Sequence, residues 1–122
     1  MRLPILLSAF ALSACVNTIL PETNGRIDNL AEFQATAGNR VVTNQNTRIW
    51  VSKGGSFNGV THGNRVKGNW DWQNGFWCRQ ITEPVVSDVD CQAWYMRGPY
   101  ATVRRDQGTG EALYFKVDRY DY

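Results

Sequence analysis

The segment that most restricts the fold runs from Trp70 to Arg79 and reads Trp-Asp-Trp-Gln-Asn-Gly-Phe-Trp-Cys-Arg. Asn74-Gly75 stands between two alternating runs. A two-residue type I′ turn needs positive φ at both central positions, and Asn-Gly meets that need at low cost. The chain is therefore expected to reverse there as a β-hairpin. The register pairs Gln73 with Phe76, Trp72 with Trp77, Asp71 with Cys78 and Trp70 with Arg79. Strand side chains alternate between two faces. One face then carries Trp70, Trp72, Trp77, Arg79 and Ile81; the other carries Asp71, Gln73, Phe76, Cys78 and Gln80.

The same rhythm continues through most of the chain. Short runs rich in Val, Ile, Trp, Tyr and Thr alternate with Gly and Asn clusters, the pattern of a small sandwich or barrel. Strands are expected over Arg40–Thr43, Thr47–Ser52, Ser56–Val60, Arg65–Gln73, Phe76–Thr82, Asp90–Met96, Tyr100–Arg105 and Glu111–Val117. Connections this short favour an antiparallel meander. Closing the meander into a barrel removes its exposed edges. One segment departs from the rhythm: between Arg26 and Ala37, the residues Ile27, Leu30, Phe33 and Ala37 recur at three and four, the spacing of one helix face. Thr23 or Asn24 is placed to cap its start and Gly38-Asn39 to end it. The expectation is a mainly β domain over residues 26–122: seven or eight antiparallel strands in a small barrel, with one short N-terminal helix. With 122 residues the chain has length for one small domain.

The first residues belong to a different pattern. Met1-Arg2 gives a positive start, an apolar run extends from Leu3 to Leu12, and small residues precede Cys15. A charged start, a short apolar core and small residues at a break point describe a secretory signal. The run is too short to span a bilayer, which needs about 20 residues. Leu12-Ser13-Ala14-Cys15 resembles the lipobox of bacterial lipoproteins. That resemblance implies diacylglycerol on the Cys15 thiol, cleavage before Cys15 and acylation of the new amine. More than one acyl chain is what stable anchoring requires. Val16 stands where an Asp would imply inner-membrane retention, which favours the outer membrane, facing the periplasm. Residues 1–14 are then the leader, and 15–25 a tether attached to the membrane. Without Arg2, twelve basic residues face eleven acidic ones. Near neutrality gives no reason to expect nucleic acid as a partner.

If Cys15 carries lipid, Cys78 and Cys91 remain as a pair, and an oxidising envelope favours a disulfide between them. It would staple neighbouring strands across the Glu83-to-Asp90 loop.

Candidate functional residues are few. The face bearing Trp70, Trp72 and Trp77 has two readings. It is apolar core, because large aromatics bury much area, or it lines a ligand pocket, since barrels of about eight strands leave room for side chains or one small ligand. Arg79 on the same face bears on the choice. An inward arginine needs a partner, and Asp106, Glu111 or a ligand carboxylate would serve. It is also placed to stack on Trp70. His62, in Thr61-His62-Gly63-Asn64, reads as a solvated turn residue, and no His/Cys/carboxylate cluster suggests a metal. Glu83, Asp88 and Asp90 read as solvated loop charges without the calcium-loop pattern. Asp106 to Glu111 reads as a glycine turn. No cofactor motif is present, and Ser52, Ser56 and Ser87 lack a nucleophile-elbow context.

Gly68 to Arg79, then Asp90-Cys91-Gln92, then Arg105 to Gly110, together with the helix bearing Phe33 and Gly38, resemble a group of small bacterial envelope proteins without an assigned activity. The resemblance spans about Ile27 to Val117 and implies a β-rich exported domain with one disulfide. Some members carry the label dihydrodipicolinate reductase. This sequence has neither a dinucleotide fingerprint nor the length for a reductase. The expected function is a lipid-anchored, non-catalytic module binding a small molecule or envelope protein, with Trp70, Trp72, Trp77 and Arg79 as binding residues. The alternatives are an assembly protein acting through its surface and, third, a hydrolase using carboxylates such as Asp71 and Asp106.

Overall fold

Eight antiparallel strands follow one another around a closed barrel in the computed structural model, which describes residues 25–122. The leader, Cys15 and the tether as far as Asn24 lie outside the described residues. The strands are β1 (Arg40–Thr43), β2 (Thr47–Val51), β3 (Ser56–Thr61), β4 (Asn64–Gln73), β5 (Phe76–Glu83), β6 (Asp90–Arg97), β7 (Tyr100–Arg104) and β8 (Ala112–Val117). Each lies within one residue of its expected ends, because Gly, Asn and Pro mark the breaks. The meander closes where β1 pairs with β8, Val42 opposite Val117 and Thr43 opposite Lys116. This seam is short. The C-terminal tail prolongs it, Asp118 N–H donating to Val41 C=O at 2.9 Å and Tyr122 N–H to Asn39 C=O at 2.8 Å.

The β4–β5 hairpin has the expected register, from Gln73 opposite Phe76 to Trp70 opposite Arg79. Asn74 and Gly75 adopt φ of 52° and 87°. His62 and Gly63 make the same kind of turn, with φ of 50° and 80°. Further along β4, the register shifts between Lys67 and Gly68. A Cβ on Gly68 would collide with the Phe57 ring and the Gln80 carbonyl. Glycine here lets Phe57 lie flat against the strand while a bulge bends it, the usual device for curving a sheet into a barrel.

The helix is shorter than its apolar spacing suggests. α1 spans Leu30–Ala37. Arg26 and Ile27 are extended and pair with β6: Ile27 N–H donates to Trp94 C=O at 3.0 Å, and Met96 N–H to Gly25 C=O at 2.8 Å. Backbone already committed to a sheet edge cannot join a helix. The cap is accordingly Asn29, whose side chain accepts from Glu32 N–H at 2.9 Å, while Glu32 accepts from Asp28 N–H at 2.8 Å. This reciprocal arrangement works like a capping box.

α1 lies at the barrel end that carries the β2–β3, β4–β5 and β6–β7 turns, and it inserts Phe33. The ring is 0% exposed and sits 5.0 to 5.8 Å, centroid to centroid, from Trp70, Trp72, Trp77 and Trp94. The remaining core is built from alternate, inward-facing residues along the strands, among them Val42, Val51, Phe57, Ala101, Val103 and Val117. Cys78 and Cys91 stand opposite each other on β5 and β6 and form a disulfide on the outward side of that pair. Closing this short loop in the unfolded chain contributes about 3 kcal/mol on the chain-entropy estimate.

Phe33→Ala leaves a cavity among four indoles. It is expected to lower the unfolding free energy by roughly 3–5 kcal/mol in urea titrations, whereas Leu30→Ala, at an exposed position of the same helix, is expected to change it by less than about 1 kcal/mol.

Candidate ligand cavity

Up-and-down connectivity places alternate turns at opposite ends of the barrel. α1 closes one end. The other end carries the β1–β2, β3–β4, β5–β6 and β7–β8 connections, and there a cavity of about 390 Å³ opens. That volume falls in the range of small-molecule sites, roughly 300–1,000 Å³. The floor is made by Trp77 and Trp94, which meet edge to face at 5.6 Å and rest on Phe33. The wall formed by β1, β2 and β8 is apolar, with Val42, Ile49, Val51, Leu113 and Phe115. The β5–β6 wall is different: Arg79 and Gln92 line it. Asn44, Asn46, His62 and Glu111 reach the mouth from the turns.

Strand pairing explains the polar wall. With Cys78 opposite Cys91 facing out, Trp77 opposite Gln92 and Arg79 opposite Asp90 face in. Asp90 is buried and forms the centre of a network. It accepts from Gln92 Nε2 at 2.8 Å, Arg105 Nε at 3.0 Å and the Asp106 amide at 3.1 Å. Burial opposes its charge. The hydrogen bonds from Gln92, the Asp106 amide and Arg105, with the charge of Arg105, outweigh that opposition and hold the carboxyl below its usual range. The amide of Asp106 begins α2 (Arg105–Gly108), a single left-handed turn in which Asp106, Gln107 and Gly108 have φ of 52°, 57° and 87°. Non-glycine residues enter that region at a cost, and Asp90 helps hold them there.

Arg79 is less well satisfied. Its side chain is 16% exposed, its nearest anion is Asp90 at 3.9 Å from Nη2, and among the described residues it donates no hydrogen bond. Burial lowers its pKa, Asp90 raises it and Arg105 lowers it further. Nearby indoles share this condition. Trp70 Nε1 donates to Ser52 C=O at 3.1 Å. Nε1 of Trp72, Trp77 and Trp94 is buried with no hydrogen-bond partner among the described residues. Each such donor costs about 1–3 kcal/mol if left unmade.

Several expectations change in this light. Trp70, Trp72, Trp77 and Arg79 do share the inward face, but they divide in role: Trp70 and Trp72 pack around Phe33 and do not line the cavity, Trp77 does both, and Arg79 lines the cavity. The ionic partner of Arg79 is Asp90, not Asp106 or Glu111. Asp90 is therefore not a solvated loop charge, although Glu83 and Asp88 are exposed. Arg79 does not stack on Trp70; the cation above aromatic rings is Arg26, 5.0 Å from Phe76 and 5.5 Å from Tyr95. His62 sits at the mouth. Asp71 is exposed on the outer face and accepts from Gln73 near the closed end, whereas Asp106 lies at the open end, so the fold does not bring these two carboxylates together. Trp94, Asp90 and Gln92 were missed as site residues. Pairing Cys78 with Cys91 in register was the signal that finds them, since it sets Asp90 and Gln92 opposite Arg79 and Trp77.

Among the described residues no group of three or more His, Cys, Asp or Glu stands together to hold a metal. Comparisons with protein-family models, with curated proteins and with solved structures found no match.

The network around Asp90 predicts a pH signature. A carboxyl whose folded pKa is depressed adds stability that is complete above its unfolded value, near 3.9, and is lost as pH falls through the folded value. Asp90→Asn is expected to destabilise the domain by roughly 3 kcal/mol at neutral pH, as removal of one partner leaves buried charge uncompensated. Urea titrations at stepped pH are expected to show this deficit constant down to about pH 4 and shrinking below it.

Proposed function

We propose that this protein is a lipid-anchored envelope module that holds one small, largely apolar molecule inside its barrel. The observation that carries the reading is the cavity itself: an interior space floored by Trp77 and Trp94 and open at one end, in a barrel whose other end is plugged by Phe33. A barrel of this strand number can be filled by its own side chains. Here the aromatic side chains gather at the closed end, and the half nearer the mouth is left open. Burial of an apolar ligand against this lining would supply the binding free energy, at about 25 cal/mol per Å² removed from water.

The anchoring part of the proposal rests on Leu12-Ser13-Ala14-Cys15. The described residues begin at Gly25, which pairs with Met96 beside the β6–β7 turn at the closed end. The ten residues from Cys15 to Asn24 can span at most about 35 Å between an anchor and that end. A second reading, in which the protein works by docking another envelope protein, draws on Val85, Val86 and Val89. These valines are exposed on the β5–β6 loop beside the mouth.

Two measurements test the proposal. Leu113 is half-buried on the cavity wall, and Leu113→Asp is expected to put a charge into the apolar lining. The domain should keep its fold by circular dichroism and lose at least about tenfold in affinity for the neutral fluorophore N-phenyl-1-naphthylamine, the effect of roughly 1.4 kcal/mol. Unchanged uptake in a folded variant sinks the cavity reading. Cys15→Ala is expected to move the protein from the membrane fraction to the soluble fraction and to abolish lipid mass on the N-terminal peptide. Unaltered fractionation removes the anchor.

A further inference from the structure

On the reading that the barrel cavity is a binding site, we infer that its ligand is an amphiphile with a single carboxylate, docked through that group on Arg79 with its apolar body against the β1–β2–β8 wall. The inference begins with charge. Two guanidiniums, Arg79 and Arg105, share one buried carboxylate, Asp90. Asp90 is already engaged by Gln92, Arg105 and the Asp106 amide at 2.8 to 3.1 Å, whereas Arg79 stands off at 3.9 Å. Arg105 is 42% exposed and keeps water as a partner, so Arg79, 16% exposed and without a short hydrogen bond, is the less satisfied of the two. Glu111, at the mouth, and Asp106 are exposed, where water and salt screen them.

A charge held in low dielectric calls for a paired, hydrogen-bonded anion. One carboxylate supplies the hydrogen-bonded partner that Arg79 lacks, while a dianionic phosphate would bring a second negative charge close to buried Asp90. The guanidinium fork matches a carboxylate in a planar, bidentate arrangement. Arg79 on β5 lies two residues beyond Trp77, and Gln92 on β6 stands opposite Trp77, so the polar lining of the interior lies on the β5–β6 wall above the indole floor. Across the cavity, Val42, Ile49, Val51, Leu113 and Phe115 offer no polar side-chain group. A molecule seated here meets the Arg79 guanidinium on one wall and hydrocarbon on the other, which is the complement of an apolar acid.

The test compares decanoate with decanol, molecules of one chain length that differ in head group. Binding is read at neutral pH by isothermal titration calorimetry and by tryptophan fluorescence, on the full chain of wild type and of Arg79→Gln. The glutamine variant leaves Asp90 its three short hydrogen bonds, and circular dichroism checks its fold. Wild type is expected to prefer decanoate by at least about tenfold, and that ratio is expected to fall toward unity in Arg79→Gln. Equal affinity for acid and alcohol in wild type overturns the head-group inference while leaving the cavity reading intact. A preference for the acid that survives in folded Arg79→Gln overturns it as well, by placing the carboxylate elsewhere. If wild type binds neither molecule, the cavity reading fails and takes the inference with it. Should Arg79→Gln fold poorly, Arg79→Met takes its place, with the same expected loss of preference and the same overturning result.

Discussion

The insertion of Phe33 among four tryptophans is the contact on which the rest of the molecule turns. A closed sheet of eight strands has an interior that must be filled at native packing density or given to something else. This protein fills the end next to the helix. The helix ring and the indoles of Trp70, Trp72, Trp77 and Trp94 occupy that end and bury large apolar area per residue. That concentration of packing stabilises the domain where the space nearer the mouth does not. The floor of the cavity and the plug of the barrel are thus two sides of one aromatic cluster.

Polar chemistry is arranged with the same economy. Asp90 collects the donors of Gln92, Arg105 and the Asp106 amide, and so joins β6 to the left-handed turn at the mouth. It is also the nearest anion to Arg79. A single buried carboxylate therefore fixes the shape of the rim and sets how much positive charge remains facing the interior. The Cys78–Cys91 disulfide, on the outer side of the same strand pair, holds that wall in register. Stability and site geometry share these groups, and changes to one are felt in the other.

Much of this was legible in the chain. The Asn-Gly turn set the hairpin register, because only positive φ at two successive residues matches the twist of paired strands. The spacing of glycine and asparagine clusters marked all eight strands. The helix was seen but misbounded: periodicity reports which residues are apolar on one face, and Ile27 satisfies it equally well as an extended residue pinned to β6. Among site residues, Trp77 and Arg79 were visible by alternation alone. Asp90 looked like any acidic loop residue, since its burial depends on a neighbour fifteen positions away, Arg105, and on a backbone amide beyond it.

The sequence by itself determined the strand order, the hairpin register, the inward face of β4 and β5 and the identity of the cysteine pair. Those properties follow from local backbone preferences and from the period of two. Only the tertiary structure decided which inward residues became packing and which became cavity. Trp70 and Trp77 carry the same alternation signal and both touch Phe33, yet only Trp77 also floors the open space. Depth along a barrel axis is set by where the chain closes and where α1 inserts, and neither is encoded in the neighbourhood of any single residue.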